Sequence, residues 1–159
     1  MGPRCVPLNN AVTERNCEAA LQVLNRLLDQ NYHPLQVLAS LATEVRRLLL
    51  AREFIEEHLA GSLDPSISYG IFQKTVLPIV KEKTEKGSPL GSMHPFALHK
   101  TLVRSRAYQT ADLINALQHL FQTDLTLKSS GIAGRAVMES LIMRLCRLTP
   151  RPMPQSSRQ

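Results

Sequence analysis

Apolar side chains recur every three or four positions along most of this chain, and that spacing places them on one face of an α-helix. The pattern predicts about five to six helices packed as a bundle. No segment alternates apolar and polar residues regularly enough to predict a β-strand. The predicted fold class is therefore all-α. The helices are expected near residues 16–30, 34–60, 64–83, 95–107, 110–128 and 135–148.

Several residues mark where these helices should begin and end. Asn16 is a good N-cap because its side-chain oxygen can accept from the free N–H groups of the first turn. Pro34 fits the first position of the longest helix, where a missing N–H costs nothing. Gly61 is a natural stop for that helix, and Thr110 is the expected N-cap of the fifth helix.

The helical period also predicts which apolar side chains face the core. In the helix that begins at Pro95, these are Phe96, Leu98, Leu102 and Val103. In the helix after Thr110, the inward set is Leu113, Ile114, Leu117, Leu120, Phe121 and Leu125.

The segment from Ser62 to Ser92 is the weakest part of the pattern. Asp64 and Pro65 are a helix-start signal, but Gly70 and Pro78 interrupt the helix that would follow. The expected organisation along the chain is residues 1–14 as the end of an upstream domain or a linker, 15–148 as one helical domain, and 149–159 as a disordered tail.

Composition agrees with one globular domain. The chain has 159 residues, of which 43% are hydrophobic, enough to form a core. The formal net charge is +6, but Arg4, Arg151 and Arg158 lie in terminal stretches without Asp or Glu, which leaves +3 for the rest. A body with this charge permits binding to a polyanion without requiring it.

The basic residues of the fourth helix are the candidate DNA-facing set. Lys100 and Arg104 are four positions apart on one helical face, and Arg106 follows closely. Two interpretations remain open for them, a surface that faces phosphates and an ordinary solvated helix face.

No motif in the sequence predicts catalysis, and we expect no catalytic residue, no metal and no cofactor. There is no glycine-rich phosphate loop, no GxSxG motif, and no histidine or cysteine at metal-ligand spacing. The three cysteines show no CxxC spacing, which favours a reducing, cytoplasmic location, and Cys17 and Cys146 are interpreted as small buried apolar groups. No apolar run reaches the roughly 18 residues that span a membrane.

One charged pair is expected to be architectural. Asp124 and Lys128 are four positions apart with the acid first, the favourable orientation for an ion pair on a helix. Asp124 lies beside the apolar stripe of its helix, so partial burial is expected.

The order of motifs in the second half resembles a known family. His94, Pro95 and Phe96 open a helix, and the run from Asp124 to Lys128 is followed by Gly131 and a leucine-rich last helix. This arrangement is similar to the C-terminal part of the delta subunit of bacterial DNA polymerase III, which belongs to the sliding-clamp loader.

The resemblance extends upstream to Arg46, Arg47 and Leu48, which match the family's arginine-containing long helix. Tyr108 stands where the family has Phe, and the segment from Ser62 to Ser92 departs from the family pattern because it is longer.

This resemblance implies a collar domain that holds clamp-loader subunits together during DNA replication. Its implied partners are the gamma/tau and delta prime subunits, with the sliding clamp contacted only through an N-terminal region that this chain lacks. His94, Pro95, Phe96, Asp124 and Lys128 would then be collar residues. The alternative from the residues alone is a stand-alone basic helical module that binds nucleic acid.

Overall fold

The computed structural model describes residues 5–61 and 63–147, and eight α-helices occupy them. The helices are α1 (Val6–Thr13), α2 (Cys17–Asp29), α3 (Pro34–His58), α4 (Tyr69–Thr75), α5 (Leu77–Lys83), α6 (Pro95–Ser105), α7 (Thr110–Ser129) and α8 (Gly134–Cys146). The described residues contain no β-strand, and the predicted all-α bundle is confirmed.

The number of helices exceeds the prediction because the segment around Pro78 forms two short helices instead of one. Val76 ends α4 and also precedes α5, with Pro78 in the first turn of α5. A proline has no N–H to donate to the carbonyl of Lys74 four residues earlier, so one continuous helix is interrupted there. The short α1 adds the other helix.

The predicted helix signals act as expected in α2 and α3. The side chain of Asn16 accepts a hydrogen bond from the Ala19 N–H at 3.1 Å. Pro34 is the first residue of α3. At the other end, Gly61 has a φ of +71° and its N–H donates to the Ile55 carbonyl at 2.9 Å. A φ in this region favours glycine, which explains the stop.

The start of α4 differs from the prediction. Asp64 does not begin a helix; its carboxylate instead accepts hydrogen bonds from the Ser66 N–H at 2.9 Å and the Ser66 hydroxyl at 2.7 Å. Such a local turn is the usual competitor of a helix start at Asp residues. The N-cap of α4 is Ser68, which accepts from the Ile71 N–H at 3.3 Å.

The described chain divides into two compact units, and each has its own core. The first unit contains residues 5–46 and 113–147, and the second contains residues 47–61 and 63–112. In the first unit, α1 packs against α2 and α8, and α2 packs against α8. Its fully buried side chains include Leu8, Leu24, Leu41, Leu113, Met138, Leu141 and Ile142.

A buried polar contact crosses the first unit between α1 and α3. The Asn9 side-chain amide donates to the Ser40 hydroxyl at 3.1 Å, and both residues are buried. Because a buried polar group without a partner is costly, this contact fixes how the two helices face each other.

The second unit is built around α4, α5 and α6 together with residues from 47 onward in α3. Its apolar cluster includes Ala51, Ile55, Phe72, Val80, Leu98 and Leu102. Residues between 63 and 92 thus form helices that contribute to a core.

The predicted organisation along the chain stays a prediction. The expected disordered tail, residues 149–159, lies outside the described residues. Residues 6–13 form α1, which is packed within the first unit. Their assignment to an upstream domain or linker stays a prediction. Within the described residues, no helix is both long and apolar enough to cross a membrane.

Candidate assembly surface and basic face

Helix α7 has more apolar surface than the core of the first unit covers. Leu113 and Leu120 are buried, as predicted. Ile114, Phe121 and Leu125, which were also predicted to face inward, are 44%, 64% and 50% exposed. Their spacing of seven and four positions puts them on one side of the helix. We call these three residues the α7 strip.

A groove in the first unit lies next to the α7 strip. It has a volume of ≈ 680 Å³ and runs between α3 and α7. Leu35, Leu38 and Ala42 line it from α3, and Leu117, Leu120 and Phe121 line it from α7. Exposed apolar surface of this kind, bordered by polar groups, is typical of sites where proteins bind one another.

The groove is edged by charged residues, including the predicted pair. The Lys128 ammonium lies 2.9 Å from the Asp124 carboxylate, and Asp124 is partly buried as expected. Both residues and the exposed Arg46 line the groove. An exposed pair of this type adds only about 0.3–0.5 kcal/mol to the helix. Its collar role stays a prediction.

The start of α6 is built by His94 and Pro95. The His94 imidazole Nδ1 accepts a hydrogen bond from the Phe96 N–H at 3.2 Å, so His94 is the N-cap. Pro95 is the first helical residue, as predicted. In the same helix, Leu98 and Leu102 are buried and Val103 is partly buried.

Phe96 was predicted to face the core, but 45% of it is exposed. Its ring makes a T-shaped contact with the Tyr69 ring, with 5.4 Å between the ring centres, and the Lys100 ammonium lies 4.5 Å from the centre of the Phe96 ring. Helical period alone missed this because Phe96, in the first turn, packs on Tyr69 at the margin of the cluster. A cation over an aromatic face is a favourable contact even at an exposed site.

The candidate DNA-facing residues do not form one uniform cluster. Lys100 is exposed and lies against Phe96, and Arg104 is half-buried one turn further along α6. Arg106, which follows the helix, acts electrostatically on Asp64. The pKa of Asp64 is held below its ordinary value chiefly by the Ser66 side-chain and backbone hydrogen bonds and less by Arg106. A DNA-facing role for these residues is not tested by this arrangement.

A buried arginine in the second unit was missed by the sequence analysis. Arg52 is 5% exposed, and its Nε lies 3.1 Å from the Glu56 carboxylate. The Thr110 hydroxyl is 3.5 Å from the same carboxylate. The signal was present in the sequence, because Arg52 lies one turn after Leu48 and just before Ile55, two core residues of α3.

No group of three or more His, Cys, Asp or Glu side chains in residues 5–61 and 63–147 is arranged to hold a metal ion. The polar residues described in the preceding paragraphs act as helix caps, ion pairs and hydrogen-bonding partners.

Known proteins share both the sequence pattern and the fold. The family model for the C-terminal domain of the DNA polymerase III delta subunit matches residues 6–62 and 83–145. The gap within the match, residues 63–82, lies inside the segment from Ser62 to Ser92, where the sequence departs from the family pattern. None of the curated protein sequences matches the chain.

A solved structure of the Bacillus subtilis DNA clamp loader delta protein (YqeN) is similar in fold, with a TM-score of 0.65 and 18% sequence identity. The similarity covers 90% of this chain but only 35% of that protein, so the chain spans about a third of its length. The match of the family model over most of the residues and the agreement in fold lead to one assignment. This chain belongs to the family of C-terminal domains of the DNA polymerase III delta subunit.

Proposed function

We propose that this chain is a helical assembly module of the replication clamp loader. The observation that carries the proposal is the α7 strip, which leaves three large apolar side chains in water beside the groove. Covering apolar surface with a partner gains about 25 cal/mol per Å². A partner subunit that covers the strip would therefore stabilise the assembly.

The partners of this module are other subunits of the clamp loader, and we assign the gamma/tau and delta prime subunits to that position. The proposal gives this chain no catalytic step and no cofactor. Nucleotidyl transfer belongs to the DNA-directed DNA polymerase of the parent holoenzyme, in the cytoplasm of a bacterium. Contact with the sliding clamp belongs to the part of the delta subunit that precedes this region.

Within this function, the polar residues have supporting roles. His94 and Pro95 fix the start of α6, so that Phe96 projects toward Tyr69. Asp124 and Lys128 border the groove and would set the orientation of a helix that docks there. Charged groups at the edge of an interface act mainly on specificity and association rate.

The test is co-purification with the cognate loader subunits. A Phe121→Asp variant places a charge at the most exposed member of the α7 strip. We expect binding to weaken at least thirtyfold, which corresponds to about 2 kcal/mol for a residue at the centre of an interface. Since Phe121 is exposed, the variant should keep its helical circular dichroism signal.

The matched control is Val6→Asp, which adds the same charge at another exposed apolar position of the first unit. It should co-elute with the partner subunits like the unchanged chain. Failure of the unchanged chain to bind any loader subunit at near-physiological salt would overturn the proposed function. Binding that is insensitive to Phe121→Asp would instead remove the α7 strip from the interface.

DNA contact enters this function as a secondary proposal. Lys100 and Arg104 are one turn apart on α6, with Arg106 following, and the exposed ring of Phe96 beside Lys100 is a surface on which a base can stack. Nothing among the comparisons favours a stand-alone nucleic-acid-binding module.

A further inference from the structure

Two cysteines far apart in the sequence meet in the first unit. Cys17 is the first residue of α2 and Cys146 is the last residue of α8. The two thiols are close enough to act on each other, because Cys17 contributes to raising the pKa of the Cys146 thiol. Both residues are half-buried and both are free.

The contact is one end of an antiparallel pair of helices. At the opposite end, the Arg135 guanidinium at the start of α8 donates to the Asp29 carboxylate at the end of α2, with an Nη2–Oδ1 distance of 2.7 Å. Arg135 also donates to the side-chain oxygen of Asn25. Because this ion pair joins the end of α2 to the start of α8, the packing of the two helices brings Cys17 and Cys146 to the same end of the unit.

The third cysteine provides an internal reference. Cys5 precedes α1 and is buried at 5% exposure, and no contact joins it to the other two thiols among the described interactions. It shares the chain and the solvent with the pair.

We propose that Cys17 and Cys146 are a redox-sensitive dithiol that closes to an intramolecular disulfide, joining the start of α2 to the end of α8. Helices α2 and α8 pack against each other in antiparallel directions, which brings the first residue of α2 and the last residue of α8 to the same end of the pair, so closure requires a local approach of the two sulfur atoms. The oxidant is a low-molecular-weight disulfide such as oxidised glutathione.

Closure proceeds by two thiol–disulfide exchanges. A thiolate of the pair attacks the glutathione disulfide, forms a mixed disulfide and releases one glutathione thiolate. The second cysteine, on losing its proton, attacks the protein sulfur of the mixed disulfide and releases the second glutathione thiolate. Two protein thiols are oxidised, one glutathione disulfide is reduced to two thiols, and the two protons pass to the released glutathione.

The surroundings of Cys146 affect the rate of closure. Burial, and then the neighbouring Cys17, raise the pKa of the Cys146 thiol to about 12. The Cys146 thiol therefore gives up its proton less readily than an ordinary thiol. Closure at neutral pH should be slow, because in either order one of the two exchanges needs the Cys146 thiolate.

Peptide mapping of the full chain tests the proposal directly. The folded chain is incubated with oxidised glutathione, and the remaining thiols are alkylated in denaturant before a non-reducing trypsin digest. Trypsin places Cys5, Cys17 and Cys146 in different peptides, residues 5–15, 16–26 and 145–147. We expect one cross-linked species joining 16–26 to 145–147 with the loss of two hydrogen atoms, and an alkylated Cys5.

The controls use the same chain. Cys5→Ser should form the cross-link as the unchanged chain does, and Cys17→Ser and Cys146→Ser should lose it. Reduction should restore three alkylatable thiols. The proposal is overturned if the main product joins Cys5 to either partner, links two chains, stops at glutathione mixed disulfides, or leaves all three thiols free. These readings come from the unchanged chain, so they hold even if a serine variant folds poorly.

Discussion

The ammonium group of Lys100 lies 4.5 Å from the centre of the Phe96 ring, on the exposed side of α6. The Phe96 ring also makes a T-shaped contact with the Tyr69 ring, with 5.4 Å between the ring centres. Lys100, a candidate DNA-facing residue, and the exposed Phe96 are thus in direct contact. The positive charge of the ammonium group lies above the apolar face of the ring.

The basic face predicts weak, salt-dependent binding to single-stranded DNA. Each lost phosphate contact should reduce the slope of log affinity against log salt by about one, so Lys100→Ala and Arg104→Ala should each lower it. Fluorescence anisotropy across a salt series measures this. Lys86→Ala, an exposed loop position outside the face, is the control. Equal slopes for all chains would exclude Lys100 and Arg104 as phosphate contacts.

Two glycines predict opposite effects on stability when changed to alanine. A Cβ at Gly134 would lie 2.9 Å from Cγ of the Pro34 ring, so the start of α8 must shift. We expect Gly134→Ala to lower the free energy of unfolding by about 1–3 kcal/mol. At Gly70, in α4, a Cβ meets nothing within 4 Å.

Gly70→Ala should therefore raise the free energy of unfolding by about 0.5–1 kcal/mol, because alanine favours helix. Urea denaturation of both variants and the unchanged chain measures the difference. If both substitutions shift the urea denaturation midpoint in the same direction, the predicted clash between a Cβ at position 134 and the Pro34 ring is wrong.

The buried contact between Asn9 and Ser40 predicts a cost for removing one partner. Ser40→Ala deprives the Asn9 side-chain amide of its hydrogen-bond acceptor inside the first unit. We expect a loss of about 1–3 kcal/mol in the free energy of unfolding. Thr43→Ala is the matched control, because the Thr43 hydroxyl bonds only the Ala39 carbonyl of its own helix. A loss at Thr43 as large as at Ser40 would count against the contact.

The turn at Asp64 predicts a pH effect of known sign. Its pKa is lowered first by the Ser66 hydrogen bonds and then by Arg106. Since the folded pKa lies below the ordinary value, the contribution to stability is present above the ordinary value and is lost as the pH falls through the folded pKa. Carboxyl NMR titration measures the shift at this site.

In that titration, Ser66→Ala should raise the pKa of Asp64 more than Arg106→Gln does. The order of the two effects is the critical result, because Ser66 donates directly to the carboxylate and Arg106 acts only through its charge. A larger rise for the arginine variant would contradict this order.

The sequence predicted helix starts and stops better than it predicted exposure. Asn16, Pro34 and Gly61 act through contacts within a few residues of themselves, so local rules suffice. Phe121 was placed inward because helical period gives the direction of a side chain. The helical period does not predict how much of that face a neighbouring helix buries. On α7, the neighbouring helices leave Phe121 exposed.

The proximity of Cys17 and Cys146 could not be predicted from the sequence, for a different reason. Cys17 and Cys146 each lie on a helix stripe, and their interpretation as small apolar groups was reasonable one helix at a time. Their proximity depends on the antiparallel packing of α2 and α8, a relation between the two ends of the described chain. No local spacing in the sequence encodes it. The burial of Arg52, by contrast, could have been predicted from the sequence, because it follows from the position of Arg52 on α3.

The helices α4 and α5 have a consequence for anyone who wishes to shorten this domain to the family pattern. Most of their residues lie in the stretch that the family model leaves unmatched, yet Phe72 and Val80 belong to the same apolar cluster as Ile55 and Leu98. Excising them would expose the remaining members of that cluster to water. What looks in the sequence like a tolerated insertion is an integral part of the second unit, and a minimal domain has to retain it.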